Sequence, residues 1–74
     1  MEHRRERVAA EIRAELARQN KSKTDLAAHI GLSTWTLRRR LEGVRPFYLE
    51  ELQSIAQFLG LPLSELLEHT GNAA

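Results

Sequence analysis

An all-α fold, a compact five-helix bundle, is predicted by three observations. Apolar residues recur at separations of three and four along most of the chain, as on one face of a helix. Serine and glycine stand where those runs begin and end. No segment alternates apolar and polar residues as a half-buried strand would. With 74 residues the chain suffices for one domain, 1–74, whose core is small and whose surface offers no elaborate catalytic cleft.

Val8, Ile12 and Leu16 recur every fourth residue and define a first helix from about Glu6 to Gln19, ended by Asn20 and Lys21. Ser22 then offers a side-chain oxygen to a new helix start, with Asp25 three residues on at the positive end of the helix dipole. Leu26, Ala27 and Ile30 form the inward stripe of this second helix, and Gly31 closes it where a left-handed residue is needed. Ser33 repeats the capping logic for a third helix, Thr34 to about Glu42, with Gly43 as its stop. Leu37 and Leu41 are its main apolar positions, which leaves the rest of its surface free. After a loop at Val44, Arg45, Pro46 and Phe47, the residues Leu49, Leu52, Ile55, Ala56 and Leu59 trace a fourth helix ended by Gly60. Leu63, Leu66 and Leu67 make a short fifth, and the tail from Thr70 to Ala74 has little to bury and is expected to fray.

The net charge of +1 conceals a separation by region. Residues 1–45 hold all eleven Lys and Arg against six acids, whereas residues 46–74 hold four acids and no base. From Arg18 to Arg45 there are seven bases and two acids, a field that attracts a polyanion. The chain has no cysteine, hence no disulfide framework, thiolate nucleophile or cysteine-ligated zinc. His3, His29 and His69 fall on separate elements without a partner at i+4, so neither a metal nor another cofactor is expected. Glu11 and Glu15 lie one turn apart among Arg7 and Arg18, which reads as a solvated face rather than an acid/base pair. An enzyme is therefore not expected, and neither is a small-molecule substrate. Nothing is long and apolar enough for a membrane, and the charged first residues lack the apolar core of a signal peptide. The expected location is the cytoplasm.

The segment from Ser22 to Gly43, about residues 22–43, places two short helices around a glycine turn, and the second helix carries Trp35, Arg38, Arg39 and Arg40. That is the helix-turn-helix arrangement, whose second helix fits the major groove of DNA. Leu26, Ala27, Gly31, Ser33, Leu37 and Gly43, followed by LEELQSIAQFLGLPLSELLE, resemble the Cro and phage-repressor (Xre-like) family, a lambda-repressor-like domain. The resemblance covers about Leu16 to Glu68 and implies a five-helix fold in which the second and third helices bind DNA. Ala27 is small where these helices approach, Gly31 permits the turn, and Leu37 pins the recognition helix.

Three positions depart from the family pattern. Leu16 and Leu41 stand where many relatives carry an Arg–Glu pair, so an apolar contact between them is expected. Arg40 replaces a commonly apolar residue; its stem is expected to cover the core while its guanidinium reaches solvent or phosphate. Tyr48 stands where Ser or Thr usually caps the fourth helix, which leaves a hydroxyl for a phosphate.

The resemblance implies base reading from the first turn of the recognition helix and from a residue one turn later, which are Thr34, Trp35 and Arg39, with Arg38 beside them. Arg39 can place its fork on guanine O6 and N7. For Trp35 two readings stand: contact with a thymine methyl or sugar in the groove, or folding back on the second helix. Lys23, Ser33, Thr36, Arg40, Arg45 and Tyr48 are the candidates for backbone phosphates, as is Arg38 alongside its base-reading role. Arg18 and Lys21 only add to the field.

The function that follows is a sequence-specific double-stranded DNA-binding transcriptional regulator, a repressor of Cro or phage type. One unit covers few base pairs, so a homodimer is expected, formed in solution through Leu61 to Leu67 or only on DNA. Two other readings remain: a protein-interaction module such as an antitoxin or adaptor, and an architectural or recombination factor.

Overall fold

The computed structural model describes residues 3–71, with side chains from Glu6 to Leu67. The side chains of His3 and His69, and residues 72–74 of the expected fraying tail, lie outside the described residues. Five helices follow in order: α1 (His3–Arg18), α2 (Lys23–Ile30), α3 (Thr34–Leu41), α4 (Leu49–Leu59) and α5 (Leu63–Gly71). No strand occurs among the described residues. The chain is thus all-α, as its apolar spacing predicts.

The caps explain the boundaries. Ser22 accepts a hydrogen bond of 3.0 Å from the Asp25 N–H, and Ser33 accepts one of 3.0 Å from the Thr36 N–H, so each helix of the central pair starts on a serine. Gly31 closes α2 at φ 76°, and the Leu32 N–H returns to the Ala27 carbonyl at 3.0 Å. A Cβ at Gly31 would meet nothing within 4 Å, so the left-handed backbone is what requires glycine there. Gly43, at φ 82°, is restricted twice, because a Cβ would also lie 3.2 Å from the Glu6 Cγ of α1. Asn20 ends α1 in the left-handed region at φ 57°, a conformation its short polar side chain tolerates.

Two helices run beyond their expected bounds. The first begins at His3 rather than near Glu6, since its charged residues are good helix formers. The fifth continues past Leu67 to Gly71, with no proline after Pro62 to interrupt it.

Ile12, Leu26, Leu37, Leu41, Ile55 and Leu66 are fully buried, so every helix contributes to one core. The helix α1 packs on α3 and α5, α2 packs on α3 and α4, and α4 packs on α5. Leu16 and Leu41 both belong to this buried cluster. Burying a leucine side chain contributes roughly 1.5–3 kcal/mol. The carbonyl of Leu41 is satisfied too, by the Arg13 guanidinium of α1.

Leu49 departs from its expected place in the inward stripe of α4, for it is 58% exposed. It opens the helix at the margin of the core, and Phe47, two residues earlier, packs there instead. At the acidic end Leu66 is buried and Leu61 and Leu63 pack against the core, so these leucines largely serve the chain's own interior.

Candidate nucleic-acid interface

The inward face of α3 determines what its outward face presents. Leu37 and Leu41 are buried, at 0% and 1% exposure, and fix the helix in rotation. Residues three and four apart share a face, so Thr34 and Arg38 lie side by side, as do Trp35 and Arg39. All four are exposed. Trp35, at 66% exposure, does not fold back on α2 as a core residue. The Arg39 guanidinium lies over the Trp35 ring, its central carbon 5.1 Å from the ring centroid. Such a contact steadies a long side chain that otherwise samples many rotamers.

Among the described residues, Arg38 and Arg39 join none of the ion pairs formed with carboxylates. Lys23 at the start of α2 and Arg45 in the loop after α3 are likewise exposed and outside those pairs. Trp35, Thr36, Arg39, Arg40 and Arg45 line one shallow hollow beside α3. The structure therefore brings Arg45 to the edge of the Trp35–Arg39 pair, while Lys23 stands apart on α2.

The helix starts are occupied by their own side chains. The Ser33 hydroxyl donates to the Thr36 hydroxyl at 2.9 Å while accepting from the Thr36 N–H. Ser33 and Thr36 thus organise the first turn of α3, next to the exposed Thr34.

Arg40 behaves differently from expectation. Its guanidinium is not free in solvent; it pairs with Glu51 of α4, and its side chain is only 14% exposed. The Leu37–Leu41 stripe turns position 40 towards the amino end of α4, where Glu51 waits. Glu51 was absent from the sequence-derived candidates, yet it also accepts a hydrogen bond of 2.9 Å from the Tyr48 N–H, the reciprocal half of a capping box at the start of α4. The Tyr48 ring is 63% exposed and lies beneath Arg40, 5.3 Å from ring centroid to guanidinium carbon.

Other cations of the basic half are engaged within the fold. Arg18 pairs with Glu15 at 2.9 Å and Glu11 at 3.1 Å, and the Glu15 hydrogen bond, with both acids' charge, raises its pKa further. Lys21 donates to the Phe58 carbonyl at 2.8 Å and lies over the Phe58 ring, bringing a cation to the negative end of α4. Gln19 donates to the neighbouring Leu59 carbonyl at 2.9 Å. His29 is exposed beside the Phe58 ring, 5.2 Å between centroids, as a rim residue of α2. Among the described residues no group of three His, Cys, Asp or Glu side chains could hold a metal ion. None of the helices described is long and apolar enough to cross a membrane.

A search of curated proteins and a search of solved structures both return no match. The model of the BetR domain, in contrast, matches residues 4–74. That match agrees with a small helical domain of helix-turn-helix type, and with DNA binding in a regulatory role, without pointing to Cro relatives in particular. With nearly its whole length matched and its α2–α3 unit in place, the chain belongs to the BetR domain family.

Proposed function

We propose that the chain is a sequence-specific double-stranded DNA-binding transcriptional regulator, which occupies an operator through the major groove in the manner of a Cro-type or phage-type repressor. The observation that carries this reading is the outward face of α3. A helix locked from behind by Leu37 and Leu41 presents a tryptophan at 66% exposure and two arginines outside every described carboxylate pair. An exposed indole is costly in water and is well used where a partner covers it.

In this reading Arg39 donates to a guanine edge, and Trp35 supplies apolar contact in the groove. Thr34 and Arg38 read or steady the neighbouring pairs. Lys23, Arg45 and the Tyr48 hydroxyl hold phosphates. Affinity then comes chiefly from phosphates and discrimination from α3. Two copies bind a palindrome with half-sites about 34 Å apart, one helical turn. The protein acts by occupying sequence that polymerase also requires, with no catalytic step.

Selection of bound duplexes from a random pool tests the proposal. It should recover a palindrome with guanine in each half-site, and an Arg39→Ala variant should lose that guanine. A selection that enriches no sequence contradicts the reading.

A further inference from the structure

We infer that Trp35 and Arg39 act as one reading unit for a two-base step, a guanine beside a pyrimidine that bears a methyl group at C5, so that binding responds to thymine and to methylated cytosine alike. The inference rests on the proposed docking of α3 in the major groove and adds to it what the two side chains read together.

The argument begins with the geometry of the pair. The Arg39 guanidinium lies over the Trp35 ring at 5.1 Å, and both residues are exposed one turn apart on the same helix. A guanidinium that donates two hydrogen bonds to guanine O6 and N7 lies close to the plane of that base. Its flat face then points along the DNA axis towards the neighbouring base pair. In the proposed unit the indole takes that face, so that the ring comes level with the neighbouring pair, at the edge of the groove. There a pyrimidine presents its C5 position, which is a methyl group in thymine and in 5-methylcytosine and a bare C–H in cytosine.

An apolar ring is suited to one of those options. A methyl group against the indole is removed from water on both sides, whereas a bare C–H leaves the ring partly wet. The amino group of adenine, placed against the same ring, would lose hydrogen bonds to water without replacement. Arg45, which lines the same hollow, provides positive charge at its edge for the adjoining phosphate. Arg40, the other cation there, is held by Glu51 and does not compete with Arg39 for the guanine. The chemistry recognised is therefore a methylated pyrimidine next to guanine, whether the methyl comes from thymine or from cytosine methylation.

The test uses the full chain and duplexes recovered by selection from a random pool. In one probe each thymine adjoining the selected guanine is replaced by deoxyuridine, which deletes only the methyl group. In a second and third the same position carries cytosine or 5-methylcytosine. The wild-type chain should bind the thymine and 5-methylcytosine duplexes about fourfold more tightly than the deoxyuridine and cytosine duplexes at each half-site, the worth of one buried methyl. Trp35→Ala should bind all four equally while still preferring guanine. Arg39→Ala should lose the guanine preference. Equal binding of the four duplexes by the wild-type chain, or methyl discrimination that survives Trp35→Ala, overturns the inference and leaves groove docking intact. Failure of the pool to enrich any duplex overturns both together. Discrimination for thymine without 5-methylcytosine also overturns it, because the methyl would then not be the feature read.

Discussion

Eight of the described cations of this chain lie in two regions with opposite surroundings. In one, made up of α1, its exit loop and Arg40 of α3, each has a partner within the fold. Arg13 caps the Leu41 carbonyl, Arg18 holds Glu11 and Glu15, Lys21 holds the Phe58 carbonyl, and Arg40 holds Glu51. On the outer side of α2 and α3, Lys23, Arg38, Arg39 and Arg45 are exposed and outside the described ion pairs. Both regions belong to the same basic half of the chain. Charge counting merges them, yet they differ in what they can do. A cation already bonded to a carbonyl or carboxylate must break that contact before it meets a phosphate, whereas an unpaired cation gives up only water and counterions. Arg13 and Arg40 therefore help to hold α3 in place, and the outer face is left to bind.

The comparison can be broken first at its support. Leu37→Ala removes a side chain with no exposure from the inner face of α3 and should cost about 2–5 kcal/mol, measured by urea unfolding. In a domain this small such a loss should also abolish DNA binding, by unfolding rather than by removing a contact. A stable Leu37→Ala variant would mean that α3 is not fixed by that residue.

The partnered region is tested by Arg40→Met. Leaving Glu51 without its partner should destabilise the chain by about 1–3 kcal/mol, while the dependence of DNA affinity on salt stays unchanged, since Arg40 is committed to α4. A lower salt slope in this variant would return Arg40 to the phosphate contacts.

Arg45→Ala addresses the outer region with a smaller effect. It should leave stability and sequence preference alone and reduce the slope of log K against log salt by about 0.9, the value of one released phosphate contact. A changed sequence preference would instead mark Arg45 as a base reader, which its place in the hollow beside Trp35 makes a pointed comparison.

Much of this architecture is legible in local sequence because its signals are local. Ser22 and Ser33 cap helices by bonds to residues three positions on, and Gly31 and Gly43 occupy left-handed positions that few other residues tolerate. The outward set of Thr34, Trp35, Arg38 and Arg39 follows from the inward Leu37 and Leu41 by helical periodicity alone. Arg40 illustrates what periodicity leaves open. It lies at the margin between the two faces, and its direction is decided by Glu51, eleven residues away on another helix. The bonds from Gln19 to Leu59, Lys21 to Phe58 and Arg13 to Leu41 likewise join residues far apart in sequence. No spacing rule anticipates them, because they depend on how the helices pack. Tyr48 is intermediate: the Glu at the third position of α4 carries half of a capping box, a signal available in sequence but obscured by the unusual residue at the cap.

The central claim is that the outer face of α3, and not basic charge in general, binds DNA. Two double variants remove the same formal charge from the two regions: Arg38→Gln with Arg39→Gln, and Arg18→Gln with Lys21→Gln. Binding to a selected duplex, measured across a range of salt concentrations, should lose at least about 100-fold in affinity and sequence preference in the first variant. The second should keep its preference and its salt slope to within a few tenths. Equal losses in the two variants would contradict the account, since cations bonded within the fold would then serve DNA as well as the exposed ones of α3.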